Sequence, residues 1–305
     1  MPSTRPPRES SPVAASAPRV IAVVPTFHPD DGVVGRLRDL ARQVDRVIVV
    51  DDGSGRSADA ALADAAASGI EVHRLERNSG IAAALYTGVR VALDDGADYV
   101  GNALRIVARA NAVTRLGIVA VDAVNGAPAL PTWVSPEGFG LVPEAIQTGF
   151  VISRECLEHG GLFDERLVID CVDTEYCLRV RDRGFRIAVA KGTDIRHSIG
   201  RRAELRPFGI PLRHRESGRI ATYQYHSPFR RYYIARNNID LILRNVARRP
   251  RWVGAVLRRE MGGMIVSMVS GPQRIAQVLA ITTGTVHGLV RRRGMIPGWL
   301  KSLIT

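Results

Sequence analysis

Residues 19–55 read RVIAVVPTFHPDDGVVGRLRDLARQVDRVIVVDDGSG, and the fold class follows from them. Residues 19–26 are a continuous apolar run, which is typical of a strand buried on both faces of a parallel sheet. Residues 33–44 have apolar side chains at helical spacing, and residues 46–50 form a second apolar run that ends in DDGSG. Strand, helix and strand in this order predict the first crossover unit of an α/β protein.

The same alternation continues along the chain. Helical spacing recurs at residues 58–68, a strand pattern at 70–76 and helical spacing again at 81–93, with glycines at the turns. Successive strand–helix units at this spacing predict a doubly wound, mostly parallel sheet.

Polar residues follow the ends of the predicted strands. In a parallel sheet these positions share the rim at which ligands bind. They are Thr26, Asp51, Asp52 and Asn78. A single DDGSG segment could be only a turn with helix-capping side chains. Because three such turns end at the same rim, a binding site is the better interpretation.

Several segments are similar to family 2 glycosyltransferases, which have the GT-A fold. VPTFHPD, VVDDGS and RNSGIAAALYTGV resemble the nucleotide-binding half of that family. QTGFVIS, FDERLVIDCVDTEYCLRVRDRGFRI, HSIG and HSPFRRYYIARN resemble its rhamnosyltransferase branch, which is related to galactofuranosyltransferases. The resemblance spans residues 19–245 and implies an α/β GT-A domain.

This resemblance implies a site for a nucleotide-sugar donor, with dTDP-L-rhamnose ahead of a UDP-sugar. Pro25, Thr26, Asp51 and Asp52 would hold the base and ribose, and Asn78 would shape the same pocket. Residues 226–238 resemble the family's segment that closes over the donor phosphates. Its side chains with suitable chemistry for phosphate oxygens are Arg231, Tyr232 and Arg236, although all three could instead coat a helix surface.

Residues 162–200 carry a group of acids at a predicted helix start. The resemblance places the catalytic base in VDTE and implies direct displacement at the anomeric carbon with inversion. Asp173 is the expected base, because one carboxylate must take the proton of the attacking acceptor hydroxyl. Asp170 and Glu175 are expected to orient the base, the acceptor or the helix start. Acids at these positions could also serve only the helix dipole.

The acceptor side is expected within residues 132–149. Trp133 could stack on a sugar ring, although a lone tryptophan is more often part of a core. Thr148 lies in QTG, which resembles the family's small-residue motif beside the donor sugar. The implied acceptor is a cell-envelope or lipid-linked glycan.

The family holds a divalent metal, Mg²⁺ or Mn²⁺, at an Asp-x-Asp motif after the fourth strand. Here residues 98–115 pass from that strand directly into a predicted helix, 103–115, and the segment with the motif is missing. His197 would be a metal ligand or would donate to the diphosphate. Two interpretations stay open: a transferase that works without the motif, and a catalytically impaired GT-A module that binds nucleotide or glycan without transfer.

Charge divides the chain unevenly. Residues 201–305 hold 20 Lys and Arg and 4 Asp and Glu, a net charge of +16, against −4 for residues 1–200. Basic and apolar residues alternate in a helical pattern, which suits an anionic membrane surface or a solvated helical appendage. No nucleic-acid-reading motif is present, so nucleic acid is not an expected partner.

The predicted organisation has three parts. They are a disordered tail (1–18), a GT-A domain (19–237, with halves 19–125 and 126–237) and a basic amphipathic helical region (238–305). The three cysteines lack metal-ligand spacing, the tail lacks the apolar core of a secretory signal, and no segment is a spanning helix. We expect a cytoplasmic protein that could lie peripherally on the inner face of the plasma membrane. Its expected activity is inverting transfer of L-rhamnose.

Overall fold

A computed structural model describes residues 17–101, 114–129, 131–196, 201–215 and 217–305. Three expectations lie wholly or mostly outside these residues. They are the disordered tail at 1–18, the helix at 103–115 and the ligand role of His197.

Among the described residues, a mixed sheet of ten strands forms the centre of the fold. Its order is β3–β2–β1–β4–β9–β5–β10–β8–β7, with β6 paired to β5. The strands are β1 Val20–Thr26, β2 Arg46–Asp51, β3 Glu71–Arg74, β4 Tyr99–Gly101, β5 Leu116–Val124, β6 Ala127–Pro128, β7 Trp133–Val134, β8 Gly140–Leu141, β9 Val151–Ser153 and β10 Arg186–Ile195. β1 to β4 pair in parallel, as do β5 and β10, whereas the short strands pair antiparallel. The α/β prediction is confirmed.

Helices cover both faces of the sheet. They are α1 Val33–Ala41, α2 Asp59–Ala67, α3 Ile81–Asp94, α4 Arg154–Gly160 and α5 Val172–Asp182. Side chains along a strand alternate between faces. Accordingly Val47 and Val49 pack with α1 and α2, whereas Ile48 and Val50 pack in the larger core that α3, α4 and α5 complete.

In the part of the chain that the structure describes, four helices follow the sheet. They are α6 Pro228–Asn245, α7 Pro250–Ser270, α8 Arg274–Leu289 and α9 Gly298–Ile304, preceded by a hairpin of β11 Arg201–Glu204 and β12 Thr222–Tyr225. A Cβ at Gly284 would lie 2.5 Å from the Tyr232 carbonyl oxygen, so glycine lets α8 approach α6 closely. The expected domain boundary at 237/238 falls inside α6, which continues through it. Within the described residues, no helix has the length and apolar content needed to cross a membrane.

Candidate active site

A cavity of about 500 Å³ opens at the carboxyl ends of the first strands. Four residues expected to hold a donor line one side of it: Pro25, Thr26, Asp52 and Asn78. Its remaining lining residues are Phe27, Gly80, Ile81, Val168, Ile169, Phe229, Met295, Lys301 and Thr305. The strand ends that were expected to form a binding site therefore line a cavity. The C-terminal helix α9 forms its other side.

The Asp52 carboxylate shapes the turn beside this cavity. It is buried and accepts hydrogen bonds from the backbone N–H groups of Ser79 (2.6 Å) and Gly80 (2.9 Å). Burial raises the pKa of Asp52 above its ordinary value, although these two N–H groups oppose the shift. Gly80 has φ +96°, and a Cβ there would lie 2.5 Å from the Val168 carbonyl oxygen. Only glycine fits this position without a shift of the backbone.

Asp51 is not among the residues that line the cavity. Its carboxylate is fully buried and accepts hydrogen bonds from the hydroxyl and backbone N–H of Ser54, with the Arg74 guanidinium 3.4 Å away. Both carboxylate oxygens therefore have partners within the protein. This differs from the expectation that Asp51 contacts the base or ribose, and its observed role is to fix the DDGSG turn.

A strained turn at residues 167–171 separates the cavity from α5. Val168, Asp170 and Cys171 all have positive φ, which is uncommon for residues other than glycine. Val168 has φ 68° and ψ −67°, a γ-turn conformation, and the Ile169 N–H donates to the Leu167 carbonyl at 2.8 Å. Each such residue costs on the order of 1–3 kcal/mol, so surrounding contacts must hold the turn.

Two adjacent side chains of α6 supply those contacts. The Asn237 amide donates to the carbonyls of Leu167 (3.1 Å), Ile169 (2.9 Å) and Asp170 (2.8 Å). The Arg236 guanidinium donates to the Leu167 carbonyl (2.9 Å) and also to the Gly294 carbonyl. Arg236 was expected to bind phosphate, but backbone carbonyls occupy its N–H groups and it is buried.

The other two expected phosphate ligands differ from each other. Tyr232 is fully buried, and its hydroxyl lies 2.8 Å from His287 Nδ1, so it belongs to the helical core rather than to the cavity. Arg231 is also buried, yet its Nε has no hydrogen-bond partner among the residues described. Burial lowers the pKa of Arg231, with Glu260 and Asp170 among the nearby charges that oppose this shift. Of the three, Arg231 alone remains available for an anion.

Asp173 occupies the first turn of α5, directly after the strained turn. Its half-buried carboxylate accepts from the backbone N–H of Thr174 (2.8 Å) and of Gln147 (3.3 Å). Burial raises the pKa of Asp173, and the charges of Glu144 and Asp170 add to the shift. The Gln147 contact brings the neighbouring Thr148, an expected acceptor-side residue, close to the expected base.

The two other acids of this segment have different surroundings. Asp170 pairs with Arg230, and burial raises its pKa despite that cation. Glu175 points elsewhere: its carboxylate pairs with Arg179 at 3.0 Å and Arg244 at 3.7 Å and lines a separate cavity of about 190 Å³. Glu175 therefore stabilises the packing of α5 on α6 and is not brought to Asp173, contrary to its expected orienting role.

Trp133 lies on the edge strand β7, and 47% of its surface is exposed. The Arg181 guanidinium lies over its ring at 5.2 Å. Arg181 is eight residues beyond Asp173 on α5, which corresponds to about 12 Å along the helix axis. The contact with Trp133 is thus at the far end of α5 from Asp173, so the structure does not bring these two expected acceptor-side residues together.

The described residues do not fit the metal that the family resemblance implies. No group of three or more His, Cys, Asp and Glu side chains is arranged to hold an ion in the described parts of the chain. β4 ends at Gly101, where a Cβ would lie 2.1 Å from the Phe150 carbonyl oxygen. A carboxylate has no space at that position, and we assign no reaction step to a metal.

Comparison with known proteins defines the class. The model of the family "Glycosyl transferase family 2" matches residues 21–102, the segment that carries β1 to β4 and most of the cavity rim. A dTDP-rhamnosyl transferase, RfbF, of Shigella flexneri is 27% identical over 256 residues, which cover 74% of this chain and 80% of that protein. These similarities support a glycosyltransferase of the family 2 type. Within that class they support a rhamnosyltransferase-like protein.

Sequence reasoning missed the C-terminal wall of the cavity. Met295, Lys301 and Thr305 line the cavity, although the sequence pattern predicts only a basic amphipathic helical region for residues 238–305. Nothing in local patterning connects residue 301 to residue 26. The one signal in the sequence is the rarity of lysine. Of the 42 basic residues, 40 are arginines, and Lys301 is one of the two lysines, with Lys191.

Proposed function

We propose that the chain transfers L-rhamnose from dTDP-L-rhamnose to a glycan acceptor, with inversion and with Asp173 as the general base. One observation carries the proposal: a cavity lined by Thr26, Asp52 and Asn78 ends at the strained turn that leads directly into Asp173. A donor in this cavity would have its sugar end near the base. The similarity to a dTDP-rhamnosyl transferase supports the choice of donor.

The proposed mechanism needs one carboxylate. The acceptor hydroxyl attacks the anomeric carbon while Asp173 removes its proton, and the bond to the nucleoside diphosphate breaks on the opposite face. The diphosphate is already a good leaving group, so no carboxylic acid is needed to protonate it, unlike in a glycosidase. The raised pKa of Asp173 favours this role because a more basic carboxylate accepts a proton more readily.

Buried polar groups near Arg231, outside the residues that line the cavity, support a further place for an anionic group. Tyr223 Oη, His226 Nδ1 and Ser270 Oγ are buried without hydrogen-bond partners within the described residues, as is Arg231 Nε. Burial, with the charges of Arg231 and Arg230, lowers the pKa of His226 to about 4, so this ring is neutral at pH 7. Unpaired buried donors are costly unless a ligand or water completes them. An anionic group of donor or acceptor would do so.

A catalytically impaired nucleotide-binding module is the second candidate. The observation that favours it is the end of β4 at Gly101, where the family's metal-binding carboxylates have no counterpart. Such a module would bind a nucleoside diphosphate in the same cavity without transferring sugar.

The decisive experiment measures transfer from dTDP-rhamnose and from UDP-sugars to lipid-linked oligosaccharides extracted from cell envelopes. Each assay is run with EDTA and with added Mg²⁺ or Mn²⁺, and dTDP binding is measured in parallel by thermal shift. Rhamnose transfer is the expected result. Binding of dTDP without transfer under any of these conditions would favour the impaired module, and transfer from UDP-sugars alone would overturn the choice of donor.

The outer face of α8 supports a location at a membrane surface. Its outward residues are aliphatic: Ile275, Val278, Leu279, Val286 and Leu289. The residues on its buried face, by contrast, are mostly small or polar: Gln277, Ala280, Ile281, Gly284 and Gly288. This is the reverse of a helix on the surface of an isolated globular protein. An exposed apolar face of this kind indicates a contact with lipid or protein.

Charge favours lipid as the occupant. The surrounding region has a net charge of +16, with Arg274 and Arg291–Arg293 at the two ends of α8. A second copy would bring the same positive charge against it, whereas an anionic bilayer attracts it. We therefore propose that α8 lies in the interface of an anionic bilayer, on the cytoplasmic side of the plasma membrane, where a lipid-linked acceptor would be presented.

Replacing two outer residues, Ile275→Asp with Val286→Asp, is expected to reduce sedimentation with phosphatidylglycerol vesicles at low salt by at least about tenfold. Each change removes aliphatic area worth on the order of 1–2 kcal/mol of transfer free energy and adds charge repulsion. Val134→Asp, on the distant exposed strand β7, is the matched control and should bind as wild type. Failure of the wild-type protein to sediment with anionic vesicles would contradict the proposal. Reversible dimerisation lost in the double variant would identify a second copy as the occupant.

A further inference from the structure

The donor cavity has one cationic lining residue, Lys301, within the part of the chain described. Its one anionic lining residue, Asp52, already accepts the backbone N–H groups of Ser79 and Gly80. The other side chains around the cavity are neutral and mostly apolar. Any nucleoside diphosphate in this cavity carries at least two negative charges, and the described residues of the cavity wall offer them a single opposite charge.

The helix that carries Lys301 is fixed to the turn beside the cavity. Leu300 and Ile304 are buried and pack in one cluster with Tyr232, Tyr233 and Val168. The segment before it is bound as well, because the Gly294 N–H donates to the Arg166 carbonyl at 2.7 Å. α9 is therefore part of the cavity wall rather than a loose terminal helix.

The Lys301 ammonium has no ion-pair or hydrogen-bond partner among the residues that the structure describes. Lys301 contributes only backbone groups to bonding: its N–H donates to the Pro297 carbonyl, and its carbonyl accepts from Thr305. Lys301 is exposed, unlike the buried Arg236, so its ammonium is free to reach a ligand bound in the cavity that it lines. An ammonium on a flexible stem is a common binder of phosphate oxygens.

From these contacts we propose that Lys301 binds the diphosphate of the donor and supplies positive charge to it from the C-terminal helix. This inference rests on the proposed function, since it assumes a nucleoside diphosphate in the cavity. Lys301 would neutralise negative charge on the bound donor and on the departing dTDP. Because α9 is packed into the cavity wall, it would hold the positive charge of Lys301 beside the cavity.

Binding of thymidine, dTMP and dTDP, measured by calorimetry in EDTA, tests the proposal. Lys301→Gln is expected to weaken dTDP binding by about tenfold or more, since a charged hydrogen bond is lost, and thymidine binding by less than about twofold. Lys301→Arg should recover part of the dTDP affinity. Lys191→Gln, which removes the chain's other lysine from an exposed position on β10, is the matched control and should bind all three as wild type.

Acylation of lysines provides a second readout that does not depend on a variant. Saturating dTDP is expected to reduce the acetylation of Lys301 by acetic anhydride by about fivefold or more, because the bound anion would cover the ammonium. The acetylation of Lys191 serves as the internal reference. Unchanged dTDP affinity in Lys301→Gln together with equal labelling would overturn the assignment while leaving the proposed function intact. Absence of dTDP binding by the wild-type protein would overturn both.

Discussion

Asp173→Asn is expected to lower the rate of sugar transfer by about 10³-fold while changing dTDP affinity by less than about twofold. The amide retains the shape of the carboxylate but cannot accept the proton of the acceptor hydroxyl. Transfer from dTDP-rhamnose and dTDP calorimetry, measured on the same preparation, separate the two effects. Asp64→Asn, an exposed change on α2, is the control and should be fully active. Equal rates for wild type and Asp173→Asn would remove the base assignment.

The pKa of Asp173 adds a pH dependence to this prediction. Because that pKa is raised in the folded protein, the rate should fall as the pH drops through a pKa higher than the ordinary value of aspartate. Stability has the opposite sign: the folded state holds the proton more strongly than the unfolded chain, so ionised Asp173 costs stability above the raised pKa. Asp173→Asn should therefore melt at a higher temperature than wild type at pH 7, and the difference should shrink as both become uncharged at low pH. A lower melting temperature at pH 7 would contradict the burial argument.

Arg236→Met is expected to lower the free energy of unfolding by about 3–5 kcal/mol, since the buried guanidinium's hydrogen bonds to the Leu167 and Gly294 carbonyls are lost. Its neighbour provides the matched comparison. Arg231 is equally buried, but its Nε has no partner among the described residues, so Arg231→Met should not be less stable than wild type. Chemical denaturation without nucleotide measures both variants. A phosphate ligand at 236 would give the reverse pattern, with normal stability and lost dTDP affinity.

Sequence periodicity predicted the first strands and helices of the α/β domain. Each apolar run in that part of the chain is buried by strands and helices that follow the same alternating pattern. Thr26, Asp52 and Asn78 could be placed on one rim for that reason, since the ends of parallel strands meet by geometry. The helical spacing predicted at residues 33–44 is an exception at its end, because α1 ends at Ala41. Such boundaries depend on tertiary packing rather than on local spacing.

Three side chains lie elsewhere than the sequence predicts, and each difference has a physical reason. Glu175 lies two residues after Asp173 on a helix, and residues two apart face different sides, so its separation from the base could have been predicted. Arg236 could not, because only the folded chain shows the carbonyls of residues 167 and 294 within its reach. Lys301 is a third case: its place in the cavity depends on how Leu300 and Ile304 pack, more than 130 residues from Val168.

The Val168 carbonyl connects the first half of the GT-A domain, residues 19–125, to the second half, residues 126–237. It accepts the Ala82 N–H at the start of α3, 3.2 Å away, and it faces Gly80, while Val168 itself lines the donor cavity and leads into the turn that ends at Asp173. In the proposed mechanism, donor binding and proton transfer would therefore depend on the same few backbone atoms. On gradual heating, the protein should lose nucleotide affinity and catalytic rate at the same temperature, as one cooperative unit rather than in two stages.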